Sequence, residues 1–175
     1  RELADLAQHL DHVKRVIAMQ QGYAKAAGVN EQVVLVNVIE DSIRLQGASF
    51  ERHGITVLRD LAPVPPMNLD KHQLIQILVN LLTNAKQAMD RPEVPIKNLT
   101  IRAGYVPDDP TTVFVEVHDT GVGIAVENLT RVFAHGFTTK SDGHGFGLHG
   151  SALAAAAMRG SLVADYGGRE LDAAL

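Results

Sequence analysis

A mixed β-sheet with helices packed on one of its faces, a two-layer α/β sandwich, is the fold that this sequence predicts. One observation is that runs with a strand pattern are interspersed with long runs at helical spacing. The other is a pair of strand runs, 99–106 and 112–118, joined by a slightly long turn that contains Pro107 and Pro110, which predicts a hairpin. The other predicted strands are 31–37, 55–61 and 161–166, and the other predicted helices are 38–52, 70–90 and 148–158.

The composition is that of a globular protein with one well-buried domain and an appendage. Of the 175 residues, 46% are hydrophobic and 21% are charged. No apolar run approaches the roughly 20 residues that a membrane-spanning helix needs, and the absence of cysteine excludes a disulfide framework. A net charge of −4 gives no basic footprint for nucleic acid. We therefore expect a cytoplasmic domain with no nucleic-acid partner and no membrane contact of its own.

Residues 1–28 form a separate segment that precedes this fold and is predicted to be one long helix. Apolar residues recur there at alternating spacings of three and four: Leu3, Leu6, Leu10, Val13 and Ile17. This is the a/d pattern of a coiled coil, and so narrow a seam needs a partner helix to be stable. We expect this helix to pair with a helix of another chain, as in a homodimer, or with a helix from a further part of a longer protein. A main domain at 29–175 is expected to follow it.

The predicted 70–90 helix carries the clearest pattern in the chain, because prolines mark both of its ends. Apolar residues at helical spacing give it one broad core face. A second stripe consists only of amide side chains: Gln73, Gln76, Asn80, Asn84 and Gln87. A solvated helix face normally carries Lys and Glu, so an amide stripe beside the core face indicates the wall of a polar pocket. The alternative is a surface helix that is rich in Gln and Asn.

Seven glycines lie between residues 120 and 150, and the first two follow a predicted strand directly. Asp119 ends that strand, and its carboxylate can accept hydrogen bonds from an amino group. Gly121 and Gly123 would let a ligand approach the backbone closely. The alternative is an ordinary strand-exit turn.

A second glycine group, Gly143, Gly145 and Gly147, runs into the alanine-rich helix. Exposed N–H groups and the positive end of the helix dipole make such a helix start suitable for a phosphate. Just before it, Lys140 ends the run FAHGFTTK and could pair with a terminal phosphate. Taken singly, the glycines are weak evidence and the lysine has an ordinary explanation as a solvated surface residue.

Four motifs now stand in a fixed order along the chain. They are NLLTNA from Asn80, DTGVG from Asp119, F…FTTK from Phe133, and GHGFGL from Gly143. Together they closely resemble the N, G1, F and G2 boxes of the ATP-binding domain of sensor histidine kinases, in the GHKL (Bergerat-fold) superfamily. Any one box is weak evidence, but four in order at the family's spacing are specific. The resemblance covers roughly residues 30–166 and implies a Bergerat-type ATP-binding fold.

The resemblance implies roles for the matching residues. Asn84 would hold Mg²⁺ through its amide oxygen, and Asn80 would help to place the metal and the phosphates of ATP. Asp119 would accept from the adenine amino group, and Lys140 would approach the terminal phosphate, so Asn80 and Lys140 are the candidate catalytic residues. The other candidate nucleotide-binding residues are Gly121, Gly123, Phe137, Thr138, Gly143, Gly145, Gly147 and Leu148.

A kinase of this family passes the γ-phosphoryl group of ATP to a histidine, and then to the receiver domain of a response regulator. Residues 1–28 then resemble the second helix of the dimerisation and phosphoacceptor hairpin. In that family the acceptor histidine is followed by an acidic residue and, a few positions later, by a proline. His12 has neither after it. We therefore expect the acceptor upstream of Arg1.

Two other functions stay open at this stage. A GHKL ATPase of the gyrase, Hsp90 or MutL type would keep a Glu one turn before the metal-binding Asn, where this chain has Asn80. An amide is a poor general base, so this alternative is disfavoured. The other alternative is a nucleotide-binding module without transfer activity. One departure from the family is that residues 169–175 do not clearly supply the terminal strand expected after Tyr166.

Overall fold

The computed structural model describes residues 29–139 and 145–165. Three α-helices and five strands are formed there, with a short 3₁₀ turn at Val126–Asn128. The strands are β1 (Glu31–Val33), β2 (Thr56–Leu61), β3 (Met67–Leu69), β4 (Asn98–Val106) and β5 (Asp109–Asp119), and the helices are α1 (Leu35–Arg52), α2 (Lys71–Met89) and α3 (Gly147–Ala157). The predicted helix at 1–28 and any terminal strand after Tyr166 lie outside the described residues.

The main sheet is mixed, as predicted. Its strand order is β2-β4-β5, with β2 parallel to β4 and β4 antiparallel to β5. Leu99 of β4 pairs with Val57 on one side and with Asp119 on the other, so the end of β5 lies beside the start of β4. A separate two-stranded sheet joins β1 to β3 in antiparallel register.

The helices cover one face of the main sheet, which confirms the two-layer arrangement. Leu35 of α1 and Leu74 and Leu82 of α2 are almost fully buried in the core that Leu99 and Ile101 of β4 complete. Burial of each such side chain stabilises the fold by about 1.5–3 kcal/mol relative to leaving it exposed. The opposite face of the sheet is polar and carries a small ion-pair network. There, Arg102 contacts Asp60 at 3.3 Å and Glu116 at 3.0 Å.

Helix α2 forms where its flanking prolines and apolar spacing predict it. Asp70 is the N-cap, and its Oδ1 accepts from the backbone N–H groups of His72 at 3.0 Å and Gln73 at 3.1 Å. Such a cap satisfies N–H groups that have no partner within the helix and contributes about 1 kcal/mol. Asp90 ends the helix, with its N–H donating to the Lys86 carbonyl. The helix therefore presents one fixed face to the site described below.

The strands differ from the prediction in three places. The strand predicted at 31–37 ends at Val33, because Leu35 starts α1 and is buried in the core with Val38. The proline loop contains the short strand β3, which forms only by pairing with β1. The hairpin turn between β4 and β5 is shorter than predicted, since Val106 already pairs with Asp109 and Asp108 adopts a positive φ of 66° between them.

The strand predicted at 161–166 is also wrong for the residues that are described. Residues 161–165 form no strand, because strands depend on ladder hydrogen bonds and no described strand pairs with them. Helix α3 ends as predicted near Gly160, whose N–H donates to the Ala155 carbonyl at 2.9 Å. The left-handed residue at this end is Arg159, with φ 64°, rather than the glycine. Among the described residues, no helix is long and apolar enough to span a membrane.

Candidate functional site

Helix α2 meets helix α3 through Asn80. Its amide Nδ2 donates to the hydroxyl Oγ of Ser151 at 2.8 Å. On the other side of the amide, a Cβ placed on Gly147 would lie 2.6 Å from Asn80 Oδ1, which is closer than real Cβ atoms approach. Only glycine therefore fits at position 147 without displacing the amide. We call Asn80, Gly147 and Ser151 the Asn80 cluster.

Asn84 lies one helical turn after Asn80 and is half-buried. Amide oxygens are suitable ligands for Mg²⁺. Among the described residues, no group of three or more His, Asp or Glu side chains is placed to hold a metal ion. The amide oxygens of Asn80 and Asn84 fit a Mg²⁺ ion that takes its other oxygen ligands from a bound molecule and from water.

Asp119 ends β5, and its carboxylate is held in place by the loop that follows. Its Oδ1 accepts from the backbone N–H of Gly121 at 2.8 Å, and its Oδ2 has no hydrogen-bond partner among the described residues. Burial raises the pKa of the Asp119 carboxyl above its ordinary value of 3.8, while the hydrogen bond from Gly121 and the neighbouring His118 lower it. A partly desolvated carboxylate with one open oxygen is suited to receive an N–H donor from a ligand.

The loop after Asp119 packs against the C-terminal part of α2. A Cβ on Gly121 would lie 2.6 Å from the backbone carbon and the Cβ of Ala88, so no side chain fits there. The N–H of Val122 donates to the Ala88 carbonyl at 3.1 Å. Gly123 follows with a positive φ of 71°, a conformation that favours glycine. We call residues 119–123 with Ala88 the Asp119 cluster.

Thr120 ties the Asp119 cluster to the segment that enters β4. Its hydroxyl donates to the Ile96 carbonyl at 2.6 Å and accepts from the Asn98 N–H at 3.0 Å. Its own backbone N–H donates to the Asn98 carbonyl at 3.1 Å. Three hydrogen bonds at one residue therefore fix the loop relative to the sheet.

Residues 133–137 pack onto the start of α3. The N–H of Gly136 donates to the Gly145 carbonyl at 3.2 Å, and Gly145 has a positive φ of 67°. A Cβ on Gly145 would lie 2.5 Å from the backbone nitrogen and oxygen of Phe137, so only glycine permits this contact. The Nδ1 of His149 lies 2.9 Å from the Phe133 carbonyl oxygen, which identifies it as the protonated, donating nitrogen.

Aromatic rings reinforce the same contact. The His135 ring lies 5.0 Å from the ring of Phe146 and 5.1 Å, edge to face, from that of His149. The guanidinium of Arg131 lies 4.8 Å from the centre of the Phe137 ring. We call residues 133–137 with 145–149 the clasp.

The structure thus brings most of the predicted site residues into three groups along α2 and α3. Asn80 and Gly147 meet directly, Asp119 and Gly121 share a hydrogen bond, and Phe137 contacts Gly145. Thr138 is exposed after the clasp, and Leu148 is half-buried in the first turn of α3. Lys140 and Gly143 lie outside the described residues, so their predicted roles stay predictions.

Sequence reasoning missed Ala88, Ser151 and His149. Ala88 follows Asn80 and Asn84 at two successive spacings of four, so it continues the amide face as a small residue. Ser151 follows Gly147 by four residues in an otherwise alanine-rich helix, which is a signal for close packing of that face. His149 carried no signal beyond its position next to the glycines.

Residues 69–170, more than half of the chain, match the family described as histidine kinase-, DNA gyrase B- and HSP90-like ATPase. The chain belongs to this family. The match spans α2, the Asp119 cluster, the clasp and α3, so the three groups described above are all parts of the family domain.

Among curated relatives of this ATPase domain, the sensor protein TdiS of Thauera aromatica is 37% identical over 112 residues. That alignment covers 63% of this chain and 20% of TdiS. The sensor histidine kinase ZraS of Salmonella typhi is 31% identical over 172 residues, covering 91% of this chain and 36% of ZraS. The chain therefore spans between a fifth and about a third of the length of these relatives. With the family match, these relatives identify it as a histidine kinase-type ATPase domain of the kind found in sensor histidine kinases.

Solved structures show the same fold. The catalytic domain of the histidine kinase ThkA superposes with a TM-score of 0.68 and 22% identity, covering 79% of this chain and 88% of that one. ThkA in complex with the response regulator TrrA gives a TM-score of 0.73 and 19% identity, covering 96% of this chain and 47% of that one. The predicted Bergerat-type fold of the ATPase domain is confirmed by these likenesses.

Proposed function

We propose that this ATPase domain binds ATP with Mg²⁺ and supplies the γ-phosphoryl group to a histidine on a separate helix. The observation that carries the proposal is the position of both clusters on α2. Asn80, Asn84 and Ala88 follow one another at spacings of four, and eight residues of helix rise about 12 Å. The Asn80 cluster lies at one end of this span and the Asp119 cluster at the other. An extended nucleoside triphosphate can bridge the two.

The Asp119 cluster is suited to the base. The open Oδ2 of Asp119 can accept from the exocyclic amino group of adenine, and guanine carries a carbonyl oxygen at the corresponding position. The missing Cβ of Gly121 lets the loop lie directly against Ala88 of α2, and in this proposal the base packs against the outer side of this loop. The domain should therefore prefer ATP to GTP.

The Asn80 cluster and the start of α3 are suited to the phosphates. Asn84 and Asn80 would hold Mg²⁺ through their amide oxygens, and the ion when bound neutralises phosphate charge. Gly145 and Gly147 let Phe137 and Asn80 approach the start of α3 closely, and in this proposal the backbone N–H groups at that helix start bind phosphate oxygens. In this proposal Lys140 adds a positive charge near the terminal phosphate, and Phe137, Thr138, Gly143 and Leu148 line the nucleotide.

Transfer to a histidine is favoured over hydrolysis by the chemistry of Asn80. Water must lose a proton to attack the γ-phosphorus, and an amide cannot accept that proton at neutral pH. In addition, the Nδ2 of Asn80 is engaged by Ser151. The domain then contributes positioning and charge neutralisation, while the nucleophile is an imidazole nitrogen of the acceptor.

The partners follow from the same proposal. We place residues 1–28 in the dimerisation hairpin and the acceptor histidine, which is not His12, on a helix outside the ATPase domain, and we propose an aspartate of a response-regulator receiver domain as the next acceptor. The complex of ThkA with its response regulator TrrA supports such a partner by analogy of fold. Because ATP is a cytoplasmic substrate, we place this domain in the cytoplasm.

Calorimetric titration of the purified chain with ATP and GTP, each with and without Mg²⁺, tests the binding part. We expect Mg²⁺-dependent binding of ATP and at least tenfold weaker binding of GTP. Asn84→Ala should abolish the Mg²⁺ dependence. Asn37→Ala is the matched control, since Asn37 is an exposed asparagine in helix α1, outside the proposed site. Equal affinity for ATP and GTP, or unchanged Mg²⁺ dependence in Asn84→Ala, would contradict the proposal.

The rate of ADP release distinguishes kinase from hydrolase. With ATP and Mg²⁺ and no acceptor added, we expect fewer than one turnover per chain over minutes. With radiolabelled ATP the chain itself should stay unlabelled, because His12 is not the acceptor. Sustained turnover would favour the hydrolase, and acid-labile phosphate on His12 would overturn the proposed location of the acceptor.

A further inference from the structure

Ser151 is one of only three buried polar or charged residues among those described, with 5% of its surface exposed. It lies in α3 between alanines and small apolar residues, where a polar side chain is unfavourable unless it is hydrogen-bonded. Its hydroxyl has its contact in another helix, at Asn80 Nδ2, 71 residues away in sequence. Because this buried hydroxyl is bonded to a side chain of another helix, we consider its effect on the Asn80 side chain.

The comparison with Ser42 shows that this arrangement is specific. Ser42 is fully buried in α1, and its hydroxyl donates to the carbonyl of Val38, four residues back in its own helix, at 2.8 Å. A buried serine that serves only as a small packing residue can satisfy its hydroxyl in this way. Ser151 instead accepts from the side chain of α2.

The contact anchors one end of the Asn80 amide. A serine hydroxyl can accept from the amide nitrogen or donate to the amide oxygen, so the contact holds the side chain in one rotamer, and here the hydroxyl accepts from the nitrogen. With Nδ2 at Ser151, the oxygen Oδ1 lies beside the open Cα of Gly147. The oxygen is then the atom presented to the start of α3, where the proposed phosphates and cation would lie.

We propose that Ser151 is a positioning residue that fixes the Asn80 amide with its oxygen towards the bound Mg²⁺ and phosphates. This inference rests on the proposed function, since it concerns the same nucleotide site. A Mg²⁺ ion accepts an oxygen ligand and is repelled by an amide NH₂ group. Without Ser151 the amide side chain loses its anchor and populates several rotamers, and binding of Mg²⁺·ATP must first select the one that presents the oxygen.

Ser151→Ala and Ser42→Ala are the matched pair of variants that test this. Both remove one hydroxyl and its hydrogen bond from a buried serine, so their melting temperatures should fall by similar amounts. Ser151→Ala alone should weaken Mg²⁺·ATP binding, by about 3- to 10-fold. Binding of adenosine, which has no phosphates, should be unchanged in both variants.

A double-mutant cycle with Asn80 separates positioning from simple packing. In an Asn80→Ala background, Ser151→Ala should have no further effect on Mg²⁺·ATP affinity, because the amide that it positions is gone. Ser151→Thr, which keeps the hydroxyl, should retain more of the affinity than Ser151→Ala.

The outcomes can be told apart. If Ser151→Ala binds Mg²⁺·ATP as well as Ser42→Ala does, or if its effect persists unchanged in Asn80→Ala, the positioning role is wrong. If the unmutated chain binds no ATP at all, the proposed function fails before Ser151 is tested. An effect confined to Mg²⁺·ATP and lost in the Asn80→Ala background supports the inference.

Discussion

The Asp119 cluster and the Asn80 cluster lie along the same helix, but they are held in different ways. Backbone hydrogen bonds from Val122 to Ala88 and from Thr120 to Asn98, both at 3.1 Å, hold the first, and the side chains of Asp119 and Thr120 add to them. A hydrogen bond between two side chains, those of Asn80 and Ser151, holds the second. The proposed base site therefore depends more on the backbone, and the proposed phosphate site more on a few side chains.

This difference has a consequence for substitution. Backbone hydrogen bonds persist through most side-chain changes, so the Asp119 cluster should be most sensitive where the backbone approach is blocked, or where the Asp119 carboxylate or the Thr120 hydroxyl is altered. The Asn80 cluster and the clasp should respond gradually to changes at single side chains. Adenosine and ATP report on the two ends separately, because adenosine reaches only the proposed base site.

Gly121→Ala should have the largest effect. Its Cβ would lie 2.6 Å from the backbone of Ala88, so the loop has to move away from α2. Overpacking of about 1–3 kcal/mol corresponds to about 5- to 150-fold weaker binding, and we expect it for adenosine and ATP alike. Gly47→Ala is the control, because Gly47 is helical with no atom near its Cβ, and alanine there should raise stability by about 0.5–1 kcal/mol. If Gly121→Ala binds adenosine as well as the unmutated chain does, the close contact between Gly121 and Ala88 is not needed for the base site.

Asp119→Asn should weaken adenosine and ATP binding about tenfold, because a charged acceptor is replaced by a neutral one. Burial disfavours the charged carboxylate, so at neutral pH the domain without nucleotide should be no less stable than the unmutated chain. Titration calorimetry measures the loss of binding. Thermal unfolding measures the stability, which should be unchanged or higher. Asp108→Asn, at the exposed hairpin tip, is the matched control. A variant that loses stability and binding together would point to a structural role instead.

Acidification should act through the same carboxylate. The pKa of Asp119 is raised in the folded domain, so its contribution to stability is fully present below pH 3.8 and is lost as the pH rises through the raised pKa. Adenosine binding has the opposite dependence, since it requires the charged form and should weaken as the pH falls through that range. Affinity measured at several pH values should show this slope in the unmutated chain and not in Asp119→Asn. If both proteins show the same pH dependence of adenosine affinity, that dependence arises from another group.

The parts of the molecule that local sequence determines were predictable. Helix α2 was predictable, because its capping aspartate, flanking prolines and apolar spacing all act within a few residues. The order of the four motifs was sufficient to identify the family. Both depend on residues that are close together in the chain.

Contacts that arise from docking of distant elements were not predictable. Ser151 reaches Asn80 only after α3 packs on α2, and Ala88 meets Gly121 only after β5 joins the sheet. The same reason explains the errors in the strands. The β-branched run after Gln32 is compatible with strand or helix, and burial of Leu35 decides for the helix. A strand at 161–165 needs a neighbouring strand, which no local pattern supplies.

His149→Phe should have the smallest effect and tests the clasp. The aromatic ring can still pack against His135, but the hydrogen bond from Nδ1 to the Phe133 carbonyl is lost. A loss of about 1 kcal/mol corresponds to about fivefold weaker ATP binding, with adenosine binding unchanged. Hydrogen exchange at the Gly136 amide, which donates to Gly145, should become faster. His72→Phe, at an exposed site in the first turn of α2, should change neither property. If exchange quickens in His149→Phe while ATP affinity stays the same, the clasp is structural and the phosphate site depends on the Asn80 cluster alone.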